Sequence, residues 1–321
     1  MDISTMDISG RNFLVTGGAG FIGSHLVERL VREGGQVRVI DDFSTGSRSN
    51  LGAVIERIDL HEESVTDPEA CRVACDGMDY VLHQAALPSV ARSVKDPRAT
   101  HHTCASGTLN MLVAAHEAGV RRFVYAGSSS AYGDTPTLPK HENMATNPRS
   151  PYAVAKLAGE QYAQVFPVLF GLETVVLRYF NVFGPRQDPA SFYSAVIPIF
   201  ISAALEERAP TINGDGGQTR DFTYVENVIS ANLLACFAPA DRASGEVFNV
   251  GCGERISVTD LWDRIQGEIG VQIQAKYAPP RQGDVRDSLA DLSKISDRLG
   301  YEMLVSLQEG LQRTAEWFKA L

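Results

Sequence analysis

Five short apolar runs recur through the first 180 positions: FLVT (13–16), QVRVI (36–40), YVLHQA (80–85), RFVYAG (122–127) and TVVLRYF (174–180). Stretches of helical period separate them. In FIGSHLVERLVRE, Ile22, Leu26 and Leu30 recur at i+4, which is one face of an amphipathic helix. Near-continuous apolar strands alternating with such helices predict a doubly wound α/β fold, a parallel sheet covered on both faces. After about residue 181 the pattern loosens into shorter helical stretches punctuated by Pro, Gly and Asp, as in NVFGPRQDP, INGDGGQTRD and PPRQGDVRD. This predicts a larger domain over 8–181 and a smaller C-terminal α/β domain over 182–321. Some segments of the second are expected to return to the first sheet. With no low-complexity linker between them, the two parts should pack as one body around a cleft.

Composition narrows the classes of function. The chain has 321 residues, 44% hydrophobic and 21% charged, with a net charge of −10 from 29 basic and 39 acidic side chains. That balance gives no footprint for nucleic acid or an anionic membrane surface. No apolar run approaches the roughly 18 residues that a membrane span needs. MDIS occurs twice within the first ten residues and carries no functional signal. Five sparse cysteines (Cys71, Cys75, Cys104, Cys236, Cys252) lack metal-ligand spacing, so no metal site is expected. They suit a reduced, cytoplasmic protein.

The first candidate chemistry lies in TGGAGFIG, which follows the first strand and opens the first helix. Gly17 allows a tight turn, Gly20 lets the backbone approach a pyrophosphate, and Gly23 packs helix on strand. The helix start then offers free N–H groups and partial positive charge to phosphate. Asp41 ends the next strand, 18 residues after Gly23. A carboxylate there suits the ribose 2′-hydroxyl of NAD and repels the 2′-phosphate of NADP. Ser44 and Gly46 in DDFSTG are further contact candidates.

The second is SPYAVAK (150–156), where Tyr152 and Lys156 share a helical face four residues apart. Spacing alone fits an ordinary amphipathic helix just as well. Taken with TGGAGFIG, SSSAYG (128–133), HQAA (83–86), GTLNML (107–112), RYFNVFGPRQ (178–187), GDGGQTRDF (214–222) and RQGDVRDS (281–288), the chain resembles the extended short-chain dehydrogenase/reductase superfamily. Within it, the resemblance is to nucleotide-sugar 4-epimerases, nearest the bacterial UDP-N-acetylhexosamine enzymes. It runs from about residue 11 to the C-terminus.

The resemblance implies a Rossmann domain and tightly held NAD. It makes Tyr152 the base, Lys156 its partner, and Ser128 the hydroxyl that passes the proton, with Ser129 the alternative in the serine triplet. A free tyrosine titrates near 10, so the Lys156 ammonium and a cationic nicotinamide are expected to draw it down. Further cofactor contacts implied are Phe21, Ile22, Asp42, Ser64, Val65, Ala85, Ala86 and Tyr179. On the sugar-nucleotide side they are Ser89, Ser129, Ser130, Asn181, Val196, Thr211 and Asp284, with Arg220 and Arg281 gripping the diphosphate. Ser288 matches a position that gates the sugar pocket. A small residue there admits a 2-acetamido group without requiring it.

Related dehydratases carry Asp-Glu directly after the shuttle hydroxyl, and decarboxylases carry a glutamate at the second position; this chain has Ser129 and Ser130. The expected reaction is therefore C4 epimerisation of UDP-GlcNAc or UDP-GalNAc through a 4-keto intermediate. UDP-glucose or UDP-glucuronate is the alternative substrate, and a non-catalytic NAD sensor or scaffold the distant alternative. Two departures stand out. Ser64 replaces the acidic residue usual at the adenine, and Cys104 replaces the asparagine usual three residues before the GT of GTLNML. The resemblance also implies a homodimer through helices near 98–118 and 151–170.

Overall fold

A computed structural model describes residues 6–188, 195–280 and 285–321. Seven strands form one parallel sheet: β1 (Asn12–Thr16), β2 (Gln36–Ile40), β3 (Ile58–His61), β4 (Tyr80–His83), β5 (Arg122–Ser128), β6 (Glu173–Tyr179) and β7 (Glu246–Val250). Their order is β7-β6-β5-β4-β1-β2-β3, and every pairing is parallel. The central strands are buried on both faces, which is why they read as continuous apolar runs.

Four helices connect the strands: α1 (Phe21–Arg32), α2 (Pro68–Cys75), α3 (Gly107–Glu117) and α4 (Pro151–Phe170). Leu26, Val27, Leu30 and Val31 form the buried stripe of α1. Between β4 and α3 the chain passes through the helices Val90–Lys95 and Pro97–His101, then a π-helical turn over His102–Ser106. Such turns frequently mark functional sites.

The second half contributes α5 (Val196–Leu205), α6 (Val225–Phe237), α7 (Val258–Ile269), α8 (Leu307–Lys319) and several strands of two or three residues. One buried apolar cluster runs from Ile8 and Phe13 through Val228 and Trp262 to Phe318. The two halves thus share a core. The buried Arg122 at the start of β5 ties them together, donating to the Ala235, Cys236 and Ala238 carbonyls at the end of α6 and to Glu173 of β6.

The five strands expected from the apolar runs are all present. The other two lie outside those runs. β3 reads IDLH and lies at the sheet edge, where half-exposed polar residues break the apolar run. β7 reads EVFNV and lies far along the chain, so it is the segment that returns to the first sheet.

Candidate functional site

The carboxyl ends of β1, β2, β4, β5 and β6 bring Gly17, Asp41, Gln84, Ser128 and Tyr179 to one cleft of about 1200 Å³. Open α/β sheets bind ligands at this edge. Parallel register sets Ser128 directly opposite Tyr179 on the neighbouring strand. Five non-glycine residues among those described have positive φ, and Phe43, Ser89, Asn181 and Arg186 of these line the cleft. Backbone strain concentrates where ligands are gripped.

At one end the glycine turn fits a dinucleotide diphosphate. Gly17 has φ +65°, and a Cβ on it would stand 2.8 Å from the Ala85 backbone. A Cβ on Gly23 would reach 2.1 Å from the Gly17 carbonyl oxygen. Helix α1 has Gly20 at its N-cap, so no side chain caps it, and no acidic residue lies in its first turn. Its orphan N–H groups and dipole therefore suit an anion. Asp41 is buried at the end of β2 and accepts from the Ala19 and Phe43 amides, both at 2.8 Å. Burial pushes its carboxyl up from the ordinary value. Each oxygen keeps a second lone pair for a sugar hydroxyl.

Phe21, Ile22, Asp42, Ser44, Gly46, Val65, Ala85 and Ala86 also line this cleft. Ser64, between the cleft-lining Glu63 and Val65, donates its hydroxyl to Asp42 at 3.0 Å, a charge-assisted bond.

At the other end, Ser128 closes β5 and caps the short 3₁₀ turn Ser129–Tyr132, accepting from the Ser130 amide at 3.2 Å. The Ser128 and Ser130 hydroxyls lie 2.8 Å apart. All three serines line the cleft. Ser150 caps α4 by accepting from Ala153 N at 3.2 Å, and Pro151 supplies the first helical residue. This start places Tyr152 in the cleft wall with Ser128, whose hydroxyl favours the phenolate form.

One turn later Lys156 is almost fully buried, and burial lowers its ammonium to about 8. Burial first, and then the neighbouring Cys104 thiol, push the Tyr152 phenol well above its ordinary 10. The expectation joined Lys156 with a cationic nicotinamide; the protein's own groups alone leave the phenol raised. A phenolate taken out of water loses hydration that a single ammonium does not restore. Cys104 occupies the π-helical turn, and its thiol points weakly at the Leu87 carbonyl, 3.9 Å away. That contact is the support available where the family's asparagine is missing.

The Tyr179 phenol is held by Gln84 and Asn232 at 2.8–3.2 Å. Asn181 and Arg220 sit where the cleft meets a second cavity of about 230 Å³, whose lining includes Val196 and Thr211. Asn181 donates to the Asp221 carbonyl at 2.9 Å. Ser288 is buried in the cleft wall, its amide donating to Thr219 O at 3.1 Å. Ser89 lines the cleft as the N-cap of Val90–Lys95. Arg281 and Asp284 lie outside the described residues.

Several cleft residues escaped the sequence reading. Arg92 and Arg149 add positive charge to its lining. Arg149 directly precedes the Ser150 cap and could have been noticed there. Beneath the site, the buried Glu160 of α4 pairs with Arg178 of β6, whose guanidinium lies over the Tyr132 ring at 4.6 Å. This fixes α4 against the sheet. Among the described residues no group of three or more His, Cys, Asp or Glu could hold a metal ion. Nor is any helix long and apolar enough to cross a membrane.

Comparison with known proteins agrees with this geometry. A model of the NAD dependent epimerase/dehydratase family matches residues 13–251. A UDP-glucose 4-epimerase of Mycolicibacterium smegmatis is 38% identical over 310 residues, 95% of this chain and 98% of that protein. The Thermotoga maritima UDP-glucose 4-epimerase, solved with UDP-glucose, superposes with a TM-score of 0.92 at 39% identity, covering 96% of this chain and 99% of that one. A UDP-N-acetylglucosamine 4-epimerase of Methanobrevibacter ruminantium, solved with UDP-N-acetylmuramic acid, gives 0.92 at 37% identity, covering 97% and 99%.

Proposed function

We propose, for a chain that belongs to the NAD-dependent epimerase/dehydratase family and is an NAD-dependent UDP-sugar 4-epimerase, that its substrate pair is UDP-GlcNAc and UDP-GalNAc. The observation that carries this reading is Ser288, a small side chain buried in the cleft wall. A tyrosine at that point would fill the space that a 2-acetamido group needs. The Methanobrevibacter enzyme named for the acetylated sugar supports the reading.

The chain's own residues supply the rest of the chemistry. Arg220, at the junction of the two cavities, offers its guanidinium to the diphosphate. The smaller cavity, between Asn181, Val196 and Thr211, receives the uridine end. Ser128, which lines the cleft with Tyr152, passes the proton of the sugar 4-hydroxyl to the phenolate and returns it after the sugar has turned. The Lys156 ammonium beneath it stabilises that phenolate. The glycine turn, Asp41 and Tyr179 would hold NAD, which would supply the acceptor for the C4 hydride and a positive charge near the phenol. Ser129 and Ser130 place no carboxylate beside Ser128 to drive elimination at C5–C6, so the sugar leaves with only its C4 configuration changed.

The reading includes a homodimer. Val154, Tyr162, Val165, Val168 and Leu169 expose apolar surface along α4, and Val113 does so on α3; a second copy would cover such a stripe. Five buried, unpaired cysteines suit a reducing, cytoplasmic setting. The substrate is tested by incubating the enzyme separately with UDP-GlcNAc, UDP-glucose and UDP-glucuronate and reading C4 epimers by NMR. Turnover of UDP-GlcNAc at least ten-fold faster than of the others is expected. Preference for UDP-glucose or UDP-glucuronate would overturn the assignment.

A further inference from the structure

Lys156 carries its charge inside the protein without a carboxylate partner on its own helix, since Glu160 is committed to Arg178. Its Nζ instead lies 4.4 Å from the centroid of the Tyr125 ring. Tyr125 is fully buried on β5, three residues before Ser128, and its hydroxyl donates to the Lys156 carbonyl at 3.0 Å. One side chain therefore meets Lys156 at both ends.

The surroundings hold Tyr125 in that pose. His83 of β4 stacks on it with centroids 5.9 Å apart and planes 21° from parallel. His83 is itself fixed between the hydroxyls of Thr16 at 2.8 Å and Thr108 at 3.0 Å. On α4, Gly159 faces the Tyr125 hydroxyl, and a Cβ there would come within 2.5 Å of it. Glycine is a poor helix residue; here it leaves the room that the hydroxyl occupies.

We propose that Tyr125 is a positioning residue for the epimerase reaction: the face of its ring seats the Lys156 ammonium beneath Tyr152, and its hydroxyl pins the backbone of the same lysine. An aromatic face attracts a desolvated cation without neutralising it. A carboxylate in that place would cancel the charge that Tyr152 needs; the ring leaves it directed at the phenol. The inference rests on the reading of Lys156 as the partner of Tyr152.

The test replaces Tyr125 with phenylalanine, then with its 3,5-difluoro and pentafluoro analogues, which keep the ring's shape while draining its face of negative potential. The measurements are kcat with the best UDP-sugar, the amount of NAD retained, and the pH dependence of kcat/KM. Tyr125→Phe lowers kcat about three-fold through loss of the hydroxyl pin, and the pentafluoro enzyme falls about a further ten-fold while retaining the same NAD. Its alkaline limb moves to lower pH, because the unseated ammonium is lost sooner. The other titratable groups around Lys156, namely Glu160, Cys104 and His83 and Tyr152 one turn earlier on α4, are identical across the series and do not produce that trend. Equal kcat and an unmoved alkaline limb in the Phe and pentafluoro enzymes would overturn the seat alone. If Lys156→Met turns over as fast as wild type, the underlying reading falls, and the seat with it.

Discussion

Replacing Lys156 with methionine separates what the ammonium does for catalysis from what it costs the fold. The side chain is 3% exposed, and burial lowers its ammonium from 10.5 to about 8. At 1.36 kcal/mol per pH unit, holding the charge there costs the folded protein about 3 kcal/mol. The sign follows from linkage. The folded chain releases this proton more readily than the unfolded chain, so the cost is fully present below about pH 8 and fades as pH rises toward 10.5. Lys156→Met, freed of nucleotide, is therefore expected to be more stable than wild type at pH 7 by up to about 3 kcal/mol, less about 1 kcal/mol for lost ring contact. The advantage shrinks at pH 9.5. Urea unfolding of both proteins at the two pH values measures it, while kcat of the same variant should fall by at least about a hundred-fold. A variant less stable at pH 7, or a difference indifferent to pH, would refute the claim that the charge is held against its own desolvation.

The other predictions are simpler. Tyr152→Phe should lower kcat by about a thousand-fold or more with NAD retained as in wild type, read by the absorbance of the released nucleotide; activity within a few-fold of wild type would remove Tyr152 as the base. Ser288→Tyr should depress kcat/KM for UDP-GlcNAc at least about ten-fold more than for UDP-glucose, and equal losses on both would end the gate argument. Val168→Glu, on the exposed stripe of α4, should convert a dimer into a monomer by light scattering; an unchanged mass would put the interface elsewhere.

The glycine turn and the Tyr152–Lys156 pair were legible in the sequence because each is a contiguous motif whose geometry is local. A strand, a turn and a helix start are enough to place them. What stayed hidden depends on register between distant segments. Ser128 meets Tyr179 only because β5 and β6 pair in one register. The Tyr125 ring lies under Lys156 only because α4 returns across β5, and the FVYAG run shows Tyr125 as one more apolar strand residue. Likewise, Arg178 within an apolar strand reads as an anomaly until Glu160 is found beside it. The Ser64 bond to Asp42 is also a contact between segments 22 residues apart, invisible in the motif.

The central claim is reversible oxidation at C4 with a hydride that never leaves the site. Turnover of UDP-GlcNAc deuterated at C4, in ordinary water, tests it most directly, with mass and NMR analysis of the product. The account predicts an epimer that keeps its deuterium at C4, and unlabelled substrate in heavy water that gains none there. Exchange of the C4 hydrogen with solvent in either experiment would contradict it.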